Sequence, residues 1–179
     1  MRYETIADIY SANQKIRDAF TATVGGVSAE ESIALPDGEK WSIQQLVEHV
    51  AIVEQNISRI CVKLVDEAKA AGKASDGTVR LSEDFGQKTA AAAGVKVEAP
   101  ERVHPTGNVT ISDALAQMSE TGKVLAGLRA DYEAFDCSEA VFPHPFFGPL
   151  SAIEWLVLIG GHEARHTRQL EQLLDKIRT

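Results

Sequence analysis

Between Trp41 and Ala71 the chain reads WSIQQLVEHVAIVEQNISRICVKLVDEAKAA, and the reading of this stretch decides the fold. Ser42 followed three residues later by Gln45 is a capping box, in which each side chain satisfies a backbone donor that the first helical turn leaves open. From there Leu46, Val50, Val53, Ile57, Ile60 and Leu64 recur at steps of three and four, the spacing of one buried helical face. Working outward, residues 4–22 carry a weaker apolar face of Ile6, Ile9, Tyr10, Ile16, Ala19 and Phe20, with Asp8, Lys15 and Arg17 off it. A third helix is expected over 110–134, with Ala114, Leu115, Met118, Val124, Leu125 and Leu128 as its apolar positions. A second capping box, Ser151 with Glu154, opens a last helix reaching about residue 177. No segment alternates with period two for long enough to be a strand, so the chain reads as all-α. Four helices of roughly 20–28 residues are each about 30–42 Å long, which suits a four-helix bundle.

The connections are less uniform. Gly25-Gly26 and Pro36-Asp37-Gly38 separate the first two helices, and PHPFFGP over residues 143–149 forms a loop before the last. Residues 72–110 form a long crossover between the second and third helices, with a short helix expected over 82–93 ending at Gly94 and an extended run through Pro100 and Pro105.

A chain of 179 residues, 44% of them apolar, is expected to fold as one domain over residues 1–179. Lys plus Arg number 18 against 26 Asp plus Glu, a net charge of −8, which argues against non-specific nucleic-acid binding because that needs a basic surface. MRYETIADIY at the start lacks an apolar signal core, and no run of 18 apolar residues occurs, so neither secretion nor a membrane partner is expected. Cys61 and Cys137 form no CxxC pair and read as buried small residues in a reducing cytoplasm.

Chemistry concentrates in the histidines. His162 and His166 stand four residues apart, about 40° apart on one helical face, and share that sector with Trp155, Ile159, Leu170 and Leu173. His49 sits beside Val50 on the stripe of the second helix. Each ring taken alone can be a core histidine bonded to a carbonyl, whereas three together can share one divalent ion that satisfies all of them. HEARH over residues 162–166 also spells HExxH, the zinc-protease string with Glu163 as general base. Against a protease stand the short remainder after His166, the absence of an HxxGxxH extension, and the placement of Glu171 and Asp175 on the opposite face. Glu163 borders the inward sector, where it can touch metal-bound water or pair with a neighbouring Arg or Lys.

Three segments, WSIQQLVEH over residues 41–49, HPFFGPL over 144–150 and the HxxxHxxQ spacing inside residues 155–169, resemble the DinB-like superfamily of thiol-transferase-like four-helix proteins. The resemblance implies an up-down-down-up bundle with one long crossover, a divalent metal ion held by His49, His162 and His166, and a homodimer. Zinc and nickel both suit imidazole ligands. It further implies a metal-dependent thiol transferase acting on an electrophilic small-molecule substrate with a low-molecular-weight thiol. A non-catalytic metal or small-molecule binding protein and a metal-free stress-response bundle are the alternatives from other classes. The long stretch over residues 72–110 departs from the family pattern and bears on the pocket.

Three neutral imidazoles would leave a coordination position open for a thiol, which the ion would deprotonate. Phe146 and Phe147 are candidate walls of the substrate mouth or simply packing for the Pro-rich loop. His104 and His144 read first as loop residues, with an acid–base or fourth-ligand role open for His144. Gln169 is either a hydrogen-bond partner of a ligand ring or a solvated side chain.

Overall fold

The fold comes from a computed structural model that describes residues 3–93 and 98–179. Four long helices dominate: α1 (Ile6–Gly25), α3 (Ile43–Ala71), α5 (Ile111–Gly127) and α7 (Ala152–Arg178). Between them lie the short helices α2 (Ala29–Ile33), α4 (Phe85–Ala93) and α6 (Arg129–Ala134), and one 3₁₀ turn at Glu101–Val103. Both capping boxes form as the sequence indicates, Ser42 with Gln45 and Ser151 with Glu154. Two more cap α1 and α2, through Thr5 with Asp8 and Ser28 with Glu31. α3 stops at Gly72, whose φ of 69° is the left-handed conformation that closes a helix and favours glycine. The expected end of the short crossover helix at Gly94 falls outside the described residues.

Contacts at the helix ends fix the directions. Asn13 donates to the Leu156 carbonyl (2.9 Å) and Arg178 to the Gly26 carbonyl (3.1 Å), so α1 and α7 run parallel. Lys176 pairs with Glu39 just before α3, while Lys63 near the far end of α3 lies over the Phe142 ring just before α7, so these two are antiparallel. Gln44 reaches the Gly107 carbonyl and Lys69 reaches Asp131, so α3 and α5 run parallel. The bundle is therefore up-down-down-up, and its parallel middle pair needs a connection about as long as a helix. The crossover over residues 72–110 is that connection.

Beyond the short α2 and the 3₁₀ turn, which fall in stretches read as connections, the structure departs from the sequence reading in the third helix and in the loop before α7. The third helix breaks into α5 and α6 at Leu128, whose N–H bonds back three residues to Leu125. The Leu125 carbonyl also accepts the Tyr10 hydroxyl (2.7 Å), and an inserted side-chain donor beside a helix-weakening Gly127 tightens the turn. The loop before α7 contains an antiparallel hairpin, β1 (Val141–His144) with β2 (Gly148–Ser151), in register Phe142 opposite Leu150. Its three-residue connection, Pro145 to Phe147, is followed at once by Gly148, which opens β2 at φ 75°, a left-handed conformation that favours glycine. Pro143 and Pro149 face each other across the ladder and hide its strand signal.

The core divides into two apolar clusters. One gathers Ile9, Ile57, Cys61, Leu64, Trp155 and Leu156, and the other Phe20, Leu46, Val50, Met118, Leu170 and Leu173. The stretch of α7 between Ile159 and Leu170 carries the polar groups His162, Glu163 and His166.

Candidate metal centre

His49, His162 and His166 come together between α3 and α7, each offering one ring nitrogen, with these nitrogens all within 4.8 Å of one another. The Nε2 atoms of His162 and His166 are 3.1 Å apart. Two imidazole nitrogens bound at about 2.0–2.1 Å to one ion at angles near 90–110° would lie about 2.8–3.4 Å apart, so the pair has ligand spacing.

The outer nitrogens of His49 and His166 are occupied. His49 Nδ1 is 2.8 Å from the Val103 carbonyl oxygen, which accepts only, so this nitrogen carries the proton and Nε2 is left bare. His166 Nδ1 lies 3.0 Å from Gln169 Oε1, which likewise accepts and leaves Nε2 free of its proton. A carbonyl or amide oxygen behind a ring fixes its tautomer and direction, as in metal sites generally. Trp41 packs on His49 with centroids 4.8 Å apart, shielding it from water.

Burial and the nearby positive charges hold all three rings below the ordinary imidazole range. His166 is pushed down to about 3 by desolvation, then by the charge of His49. His162 lies well below its usual value because of burial, then the charges of His166 and His49. His49 is lowered by burial, which outweighs its bond to Val103. At neutral pH the rings are uncharged, the form that binds a cation. Three neutral, convergent imidazoles, two of them oriented from behind, fit a divalent ion.

Glu163 turns away from this cluster toward α1. Its Oε1 accepts from Arg17 Nε at 2.5 Å, and the Arg17 guanidinium also pairs with Glu54 at 2.5 Å and donates to the Met118 carbonyl at 3.3 Å. Arg17 thus joins all four long helices at mid-height, although the helical wheel of α1 set it outside the apolar face. The signal that could have found it is Glu54, a carboxylate four residues after Val50 on the stripe of α3, which needs a buried partner.

Of the other sequence candidates, Gln169 sits on His166, and His104 bonds the Ala99 carbonyl at 2.8 Å and packs edge-on against Trp41. Phe147 is half-buried against the core while Phe146 is exposed. Cys61 and Cys137 are buried free thiols, and burial pushes Cys61 up to about 12 and Cys137 up to about 11. Neither is a nucleophile at neutral pH. Sequence reasoning missed Val103 and Trp41; a backbone carbonyl leaves no residue-type signal, and Trp41 lies just before the helix cap.

The profile of the DinB superfamily matches residues 12–170. The uncharacterized protein YuaE of Bacillus subtilis (strain 168) is 26% identical over 153 residues, covering 85% of this chain and 88% of that relative. The crystal structure of TT2238, a four-helix bundle protein, is similar with a TM-score of 0.63 at 21% identity, over 94% of this chain and 99% of that one. This last likeness bears on the fold alone. Among the described residues, no helix is long and apolar enough to cross a membrane.

Proposed function

The chain belongs to the DinB superfamily, and on that premise we propose that it is a metal-dependent transferase joining a low-molecular-weight thiol to an electrophilic small molecule. The observation that carries the metal half is the convergence of three ring nitrogens within 4.8 Å, two of the rings being oriented from behind by Val103 and Gln169. The thiol half and a homodimer rest on the family resemblance, zinc or nickel as the ion on the imidazole ligand type, and a cytoplasmic setting on the two unpaired cysteines.

His49, His162 and His166 would hold the ion, leaving at least one position open. When bound, a divalent ion supplies Lewis acidity that makes a thiol a nucleophile at neutral pH. The chain's own residues do the rest. Val103 and Gln169 hold the ring tautomers, Trp41 keeps water from His49, and the Arg17 pairing with Glu163 sets the rotation of α7 that aims His162 and His166 at α3. A protease would need Glu163 at the metal-bound water, whereas its carboxylate holds Arg17.

The test is metal content by plasma mass spectrometry on untagged protein, beside His49→Ala, His162→Ala and His166→Ala. About one equivalent in the wild type, lost in each variant, is the expected result and opens a screen of thiols with electrophiles. A folded wild type that neither carries nor takes up zinc or nickel overturns the proposal.

A further inference from the structure

His144, at the end of β1, is one of two histidines, with His104, that the proposed centre does not use. Its Nδ1 accepts from the backbone N–H of Phe146 (3.1 Å) and of Phe147 (3.3 Å). A backbone N–H can only donate, so Nδ1 must be bare and the neutral ring must carry its proton on Nε2. The ring is also immobilised, stacked on Phe147 at 4.5 Å and 13° between planes, and packed against Trp155 at 5.2 Å. Trp155 lies two turns before His162 on α7. The hairpin thus fixes both the tautomer and the direction of this imidazole, and leaves its N–H without a partner among the described residues.

The charges around it are of one sign. Arg102 precedes the residue whose carbonyl orients His49, and its charge bears on His144, as that of His144 bears on His162. Among the described residues Arg102 has no carboxylate partner, in a chain of net charge −8 whose other cations are largely in ion pairs. Among the described residues, the charges that act on His49, His144, His162 and His166 are those of Arg102, Arg165 and the neighbouring histidines. A rigid N–H donor in a positive field is the arrangement that recognises a carboxylate.

We propose that the Nε2–H of His144, assisted by Arg102, binds a carboxylate carried by one of the two small molecules that meet at the three-histidine centre. The proposal rests on the metal reading above and names a substrate class for it. His144 is here a substrate-binding residue and takes no part in holding the ion.

Two pairs of near-isosteric probes separate the sources of the carboxylate: mercaptoacetate against mercaptoacetamide for the thiol, and acrylate against acrylamide for the electrophile. Dissociation constants are measured by titration calorimetry on the zinc-loaded full chain, on His144→Phe, which keeps the stacking but removes the donor, and on His144→Gln, which keeps an N–H donor. Zinc content and the thermal midpoint are measured on each. The expected result is a preference for the acid in one pair, lowered roughly tenfold in His144→Phe and largely restored in His144→Gln, with zinc content unchanged. The pair that responds identifies which partner carries the carboxylate. An acid preference equal in the wild type and His144→Phe, or none in either pair, overturns the proposal while leaving the metal centre standing. A wild type that takes up no zinc removes the metal reading and this proposal with it.

Discussion

Replacing Arg17 by methionine removes the only cation that reaches two nearly dry carboxylates among the described residues. The side chains of Glu54 and Glu163 are 4% and 3% exposed, and Arg17 contacts both at 2.5 Å. A buried ion pair is a weak net stabiliser, because desolvation offsets most of the attraction, but removing one partner strands a charge and costs about 3–5 kcal/mol. Arg17→Met should therefore lower stability by about 3–5 kcal/mol at pH 7, which for a chain of this length moves the thermal midpoint by roughly 6–20 °C. The sign with pH follows from the carboxyls. Burial raises both above the ordinary range, and the Arg17 guanidinium offsets part of that rise. Without Arg17 their folded-state values climb further above the unfolded ones, so the folded variant binds more protons than the unfolded chain in between. Stability then falls as pH rises through the raised values and recovers on acidification toward about 4.3. The deficit of Arg17→Met must be smaller at pH 5 than at pH 7. Neutralising both partners as well, in Arg17→Met/Glu54→Gln/Glu163→Gln, should restore most of the loss. Urea unfolding with chelator present, so that metal binding adds nothing, measures each case. A deficit under about 1 kcal/mol at pH 7, or one equally large at pH 5, would refute the account of Arg17 as the neutralising centre of the bundle.

Two further outcomes follow from the same packing. His49, His162 and His166 are all held below the ordinary imidazole value, His166 at about 3, so between that value and about 6.5 the unfolded chain binds more protons; the metal-free protein should be most stable above about pH 6.5 and lose stability on acidification, less steeply in His166→Gln. Equal slopes of the two proteins in denaturant titrations between pH 7 and 5 would contradict this. Gly160 on α7 lies against α1, where an added methyl would collide with Asn13 Oδ1 and come within 3.1 Å of Ile16. Gly160→Ala should cost about 1–3 kcal/mol, and Asn13→Ala in the same chain should relieve part of it, read from the two melting midpoints.

What was legible in the sequence was what depends on residue spacing along one helix. The stripe from Leu46 to Leu64, the two capping boxes and the i,i+4 pair His162 and His166 each carry their meaning within a few turns, and the structure brings His49 to that pair. What was illegible depends on contacts from far away or on atoms common to all residues. The break at Leu128 involves the Tyr10 hydroxyl, which lies 115 positions before the Leu125 carbonyl that accepts it. The hairpin is masked by Pro143 and Pro149, whose composition reads as loop. Arg17 falls outside the apolar face of α1 on a helical wheel, because the wheel scores hydrophobicity and cannot see that Glu54 and Glu163 wait on two other helices.

The crossover was the least legible segment and is the one that completes the site. Parallel neighbours α3 and α5 require a return path along the bundle, and that path must be tied down where it passes the start of α3. Glu48 does this: its buried carboxylate accepts from Thr106 N–H (2.8 Å), the Thr106 hydroxyl (2.7 Å) and Gly107 N–H (2.8 Å). Gly107 has φ 78°, and Gln45 lies so near that a side chain there would crowd it. Three residues before that anchor, the Val103 carbonyl lands on His49 Nδ1. Glu48 and His49 are consecutive and so point about 100° apart around α3, one gripping the crossover and the other receiving its carbonyl. The length of the crossover follows from the topology, and the orientation of His49 follows from where the crossover is anchored. Glu48 therefore bears on the metal centre without touching it, through the position it gives Val103.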